Sequence, residues 1–196
     1  MSLALNRRQI SGPLAILIIS FCLYAFGNVA NQWFGYDRVL VEQHQYWRLI
    51  TGNLLHTNLY HLLLNASGLL LLWALHGEYY RTLHYLALFT FCGVICTSGI
   101  YLFAEDLRWY VGLSGILHGL LVWGACQDIQ HRLKSGWLLL LVVWIKIAYE
   151  QFVGPNAELA KLIEANIATD AHLFGACGGL LWVVLALLNS RQMVKS

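Results

Sequence analysis

Charge is what this chain of 196 residues has least of. Asp, Glu, Lys and Arg together make up 11%, against about 25% in a soluble globular domain. That shortage excludes an ordinary domain with a solvated surface. Net charge is only +2. No basic run, acidic tail or low-complexity segment interrupts the chain, so a nucleic-acid partner has no support. A Cys-x-x-Cys pair is also missing. The five cysteines (Cys22, Cys92, Cys96, Cys126 and Cys177) all fall inside apolar stretches. They read as core residues rather than a disulfide framework or a zinc site. Neither a cofactor nor a metal is expected.

Apolar residues make up 59% of the chain, with 8 Trp and 10 Tyr. This composition describes an integral membrane protein with aromatics at the interfaces. At about 20 apolar residues per span, the length holds six spans and short loops. The expectation is an all-α six-helix bundle forming one membrane domain over 1–196. The spans fall at 13–27, 58–75, 85–103, 113–127, 136–153 and 171–188. The first run, behind Arg7 and Arg8, also has the shape of a signal peptide. An uncleaved span is preferred, because the later spans alternate sensibly around it. Asn28–His56 mixes Asp37, Arg38, Glu42 and Arg48 with Trp33, Tyr36, Tyr46 and Trp47, which suits a first external loop lying in the interface. Arg7, Arg8, Arg81, Arg132, Lys134, Arg191 and Lys195 fall on one side, and Arg38, Arg48, Arg108 and Lys161 on the other. The positive-inside rule then places both termini in the cytoplasm.

Several polar residues sit where water is scarce. Ser114 lies between Gly112 and Gly115 at the mouth of span four, and His118 follows at i+4. The bland reading of an isolated serine is a bond to a carbonyl one turn back. The flanking glycines weaken it, because they leave the hydroxyl approachable. His61 and Asn65 share one face of span two, and both can donate inward or simply bond a neighbouring helix. His172 lies one turn into span six, and ionisable residues at that depth are functional by default. Gly115-x-x-x-Gly119 and Gly175-x-x-x-Gly179 are small-residue faces that let two helices approach closely. If spans four and six pack through them, Ser114 and His172 meet as nucleophile and base. His61, Asn65 and the Ser114 amide then supply an oxyanion site. No well-placed acid completes a triad, since Asp170 stands at a loop edge. A dyad oriented by packing is expected. Lys146 and Glu150, at i, i+4 in span five, read as a pair or as snorkelling side chains. His118 either tunes the site or bonds a neighbouring helix. Eight histidines also suggest a metal site or a transporter, but His56 and His61, five apart, are expected to face apart.

These residues resemble the motifs of the rhomboid intramembrane serine proteases. Gly112-Leu-Ser114-Gly115 is similar to the family's nucleophile motif, and Ala171-His172-x-x-Gly175-x-x-x-Gly179 to its general-base motif. His56, His61 and Asn65 match a His-x-x-x-x-His-x-x-x-Asn pattern. Trp47-Arg48 resembles a pair in the first external loop. The resemblance runs from Trp47 to Gly179. It implies a rhomboid-like bundle with a catalytic Ser114 and His172. Gly112 and His56 would help position substrate and oxyanion, and Trp47 and Arg48 would serve as scaffold. Gln45-Tyr-Trp-Arg-Leu-Ile-Thr51 and Gly112-Leu-Ser-Gly-Ile-Leu-His-Gly119 look most like the rhombosortase branch. That likeness implies, as partners, membrane-anchored proteins with a C-terminal Gly-Gly motif, membrane helix and basic end. It also implies a bacterial inner membrane, with the site opening outward. A general rhomboid protease and a non-proteolytic, client-binding relative are the alternatives.

Overall fold

The computed structural model describes residues 6–193. Its elements are α1 (Arg7–Ala25), α2 (Gly27–Phe34), β1 (Tyr36–Asp37), α3 (Arg38–Glu42), α4 (Arg48–Thr51), a 3-10 turn over Gly52–Leu54, and α5 (Leu59–His76). There follow α6 (Thr82–Phe103), β2 (Trp109–Tyr110), α7 (Ser114–Gln130), α8 (Ser135–Val153), α9 (Ala157–Leu162) and α10 (Thr169–Met193). Among the described residues, five helices are long and apolar enough to cross a bilayer: α1, α5 with its following turn, α6, α8 and α10. The sixth, α7, has 17 residues. At 1.5 Å rise it spans about 25 Å, less than the hydrocarbon thickness of about 30 Å. The expected six-helix bundle is present, and its fourth helix starts inside the bundle rather than at its surface.

Local chemistry explains where the helices differ from the expected spans. The first begins at Arg7, not at residue 13, because Asn6 caps it. The Asn6 side chain accepts from the Arg8 amide, and the Gln9 side chain accepts from the Asn6 amide in return. The last helix continues through Asn189 to Met193, beyond the expected end at 188. Lys195, one of the residues used to orient the chain, lies outside the described residues. The loop before span six contains α9, started by Asn156, whose side chain accepts from the Leu159 amide.

At the core, α6, α7 and α10 pack together, with Leu88, Phe89, Cys92, Leu113, Ile116 and Leu120 buried between elements. The contact between α7 and α10 is made by backbone. A Cβ on Gly175 would run into the Gly115 carbonyl oxygen, and one on Gly179 into that of Gly119. The paired small-residue faces read from the sequence are therefore the seam of the structure.

The segment between α1 and α5 is more ordered than an interfacial loop. Arg48 is buried and donates to the carbonyls of Gly35 (2.6 Å) and Gln32 (2.8 Å) and to the Gln45 side chain (2.8 Å). Trp47 is half exposed, and its indole donates to the Trp33 carbonyl at 3.2 Å. Both residues tie α4 to the end of α2. Two short strands, absent from the all-α expectation, then register this segment against the start of α7: Tyr36 pairs with Tyr110 and Asp37 with Trp109, antiparallel.

Candidate active site

The approach to Ser114 is built from backbone constraints. The Gly112 amide donates to the Gly52 carbonyl at 3.2 Å, and the Tyr110 hydroxyl donates to the Gly112 carbonyl at 2.7 Å. Gly112 has φ +131°, and a Cβ there would lie 2.8 Å from His61 Nε2. Only glycine satisfies both demands. The turn delivers Ser114 as the first residue of α7, where the amides of the opening turn have no partners within the helix. Such a helix start favours negative charge.

Seam packing brings His172 to this point. Its Nε2 lies 3.1 Å from Ser114 Oγ. His172 is buried, and its ring stacks on His118 at 4.2 Å between centroids. His118 thus lies in the site, with Nδ1 2.7 Å from the Ser114 carbonyl and Nε2 2.8 Å from Lys146 Nζ.

Across from Ser114, α5 presents His61 and Asn65, both buried. Among the described residues the Asn65 amide nitrogen has no hydrogen-bond partner. His61 Nδ1 accepts from the Thr57 amide at 3.4 Å, which directs Nε2 toward Gly112. His56 sits behind His61, edge-to-face at 5.0 Å. The expectation that these two histidines face apart fails, because His56 precedes the helix and the chain folds back at the Asn58 cap. Burial, then the neighbouring His61, holds the His56 imidazole down at about 3. His56 therefore stays neutral and packs against His61, away from the cavities that reach Ser114.

Two cavities meet at Ser114. One, of about 370 Å³, lies at the loop end and is lined by Thr57, His61, Arg108, Glu164 and Asn166 as well as the serine. The other, of about 310 Å³, lies between α5 and α8 and is lined largely by Gly68, Leu71, Leu117 and Leu121, with His118, Lys146 and His172 at its polar end. Thr57 and Asn58 hold the loop after α9 over the first cavity by donating to the Ile163 (2.5 Å) and Leu162 (2.9 Å) carbonyls.

One residue of the site was not expected. Glu150 Oε2 lies 2.8 Å from His172 Nδ1. The expectation that no acid stands near the imidazole is corrected: the acid is Glu150 of α8, not Asp170, which lies in the first turn of α10 rather than at a loop edge. The i, i+4 pairing of Lys146 with Glu150 is present too, at 2.9 Å. It was legible as a local pair, and that reading hid the second partner. A glutamate near the site end of a span, at the depth of His172, was the available signal.

Apolar helices around a part-buried hydroxyl–imidazole pair define the class, a polytopic membrane protein. The comparisons give the family. The Rhomboid domain matches residues 43–189, which spans every residue of the site, and the chain belongs to that family. It is similar to the "Putative rhomboid protease YdcA" of Bacillus subtilis (strain 168), with 30% identity over 142 residues, covering 72% of this chain and 67% of that protein. Family and helices together make it a multi-pass membrane protein, of the general class of intramembrane proteases.

Proposed function

We propose that this chain is a serine endopeptidase that cuts membrane-anchored proteins within or beside their membrane segment. Ser114 Oγ attacks the scissile carbonyl while His172 Nε2 takes the hydroxyl proton. The oxyanion is held by His61, Asn65 and the Ser114 amide. His172 returns the proton to the leaving amine as the peptide C–N bond breaks. Water then hydrolyses the Ser114 ester by the same route in reverse. The observation that carries this reading is the 3.1 Å approach of Ser114 Oγ to His172 Nε2 where two cavities meet. The apolar cavity suits a membrane segment entering from the side, and the loop-end cavity suits the water that resolves the acyl-enzyme.

The site end faces outward in this reading, with both termini in the cytoplasm of a bacterial inner membrane. The seven-to-four split of Lys and Arg supports that orientation. For the substrate, the rhombosortase-like form of Gln45–Thr51 and Gly112–Gly119 points to a C-terminal tail of Gly-Gly, membrane helix and basic end. A segment lacking side chains unwinds readily.

The test is co-expression with a reporter bearing such a tail. Wild type should release the reporter, while Ser114→Ala and His172→Ala, present at wild-type levels, should not. Release by Ser114→Ala would refute the protease reading in favour of a client-binding protein. Equal cutting of a single-span reporter without Gly-Gly would remove the tail preference and leave a general rhomboid protease.

A further inference from the structure

The charged pair on α8 is unlike an ordinary helix-surface pair. Lys161 and Glu158 on α9 are also close in sequence and 3.3 Å apart, but their side chains are 75% and 84% exposed. Such pairs contribute little. In the α8 pair the Lys146 side chain is 43% exposed, but that of Glu150 is only 12% exposed, and its other partner, His172, is 7% exposed. A carboxylate this little exposed within a membrane span is costly and persists only with partners.

We infer that Glu150 is a positioning residue for His172, and that Lys146 and His118 close the chain of hydrogen bonds back onto Ser114. This inference rests on the proposed Ser114–His172 reaction. Donor and acceptor bookkeeping leads to it. The Ser114 carbonyl can only accept, so His118 Nδ1 carries its proton at 2.7 Å. His118 Nε2 is then an acceptor and takes a proton from Lys146 Nζ at 2.8 Å. Lys146 donates a second hydrogen to Glu150 Oε2 at 2.9 Å. The same oxygen accepts from His172 Nδ1 at 2.8 Å. His172 Nε2 is thereby left as the free acceptor facing the Ser114 hydroxyl at 3.1 Å. Lys146 Nζ and His172 Nδ1, 3.1 Å apart, are two donors drawn together by the oxygen they share.

Each member has one consistent proton position, and the circuit begins and ends on Ser114. Glu150 fixes the tautomer that a general base needs and faces the imidazolium formed when the serine proton moves. Lys146 balances the carboxylate while the base is neutral. The stacked His118 ring keeps the His172 plane in register.

The experiment uses the full-length protein in detergent, with the same tailed client as substrate. Glu150→Gln should lower kcat by about 10³-fold, with KM within about twofold of wild type and an unchanged unfolding midpoint. The Lys146→Met, Glu150→Gln double variant removes both charges and should stay at least about 10²-fold slow. It also serves if the uncompensated lysine of the single variant prevents folding. Recovery of the double variant to wild-type rate would overturn the inference, because Glu150 would then only neutralise Lys146. So would wild-type kcat in Glu150→Gln while Ser114→Ala and His172→Ala are inactive. In that case the serine–histidine reading survives. Full activity of Ser114→Ala would instead remove the reading on which the inference rests.

Discussion

The two sides of His172 are held in different ways. On one side, α10 meets α7 backbone to backbone through Gly115, Gly119, Gly175 and Gly179, leaving no side chain to adjust. On the other, α8 buries only Gly136, Val143 and Ile147 and turns Leu138, Leu141, Val142, Ile145 and Tyr149 outward. Interiors packed at backbone distance do not deform continuously, whereas an apolar face turned to lipid gains little from any one position. The contrast assigns two tasks. The seam sets the Ser114–His172 distance, and the looser helix brings Lys146 and Glu150 to the back of the imidazole beside the apolar cavity.

That contrast can be broken from either side. The largest effect is expected at the seam. Gly175→Leu would force a side chain into the Gly115 carbonyl. It should destabilise the bundle by about 3 kcal/mol or more, seen as a fall in the thermal midpoint in detergent together with loss of client cleavage. A stable, active Gly175→Leu would show that the seam does not set the site. Next comes Asn65→Ala on α5, expected to cost about 10²-fold in kcat at unchanged midpoint. An effect on KM alone would make Asn65 a binding residue rather than an oxyanion donor. The smallest change belongs to the outer face of α8. Val142→Ala should stay within about 0.5 kcal/mol in stability and leave cleavage rates as in wild type. A large loss of rate there would mean that the face of α8 is itself a substrate surface.

Much of this arrangement was legible in the residue spacing. His61 with Asn65, Ser114 between glycines, His172 at the head of span six, and two Gly-x-x-x-Gly faces place four polar groups at one depth from residue order alone. Helix periodicity carries that information, because i and i+4 share a face. What escaped has a physical cause in each case. Glu150 already had a satisfying local partner in Lys146, and nothing local reports a second partner 22 residues along the chain. The β1–β2 pair is too short to show an alternation. His56 lies just ahead of a helix cap, where the helical spacing used to aim its ring does not apply.

The central claim is that Ser114 is a nucleophile activated by His172. Its most direct test is mass-spectrometric mapping of a fluorophosphonate adduct on the purified full-length protein. A single adduct on Ser114, lost in Ser114→Ala and strongly slowed in His172→Ala, is the predicted result. Undiminished labelling of Ser114→Ala, or an adduct mapped to another residue, would contradict it.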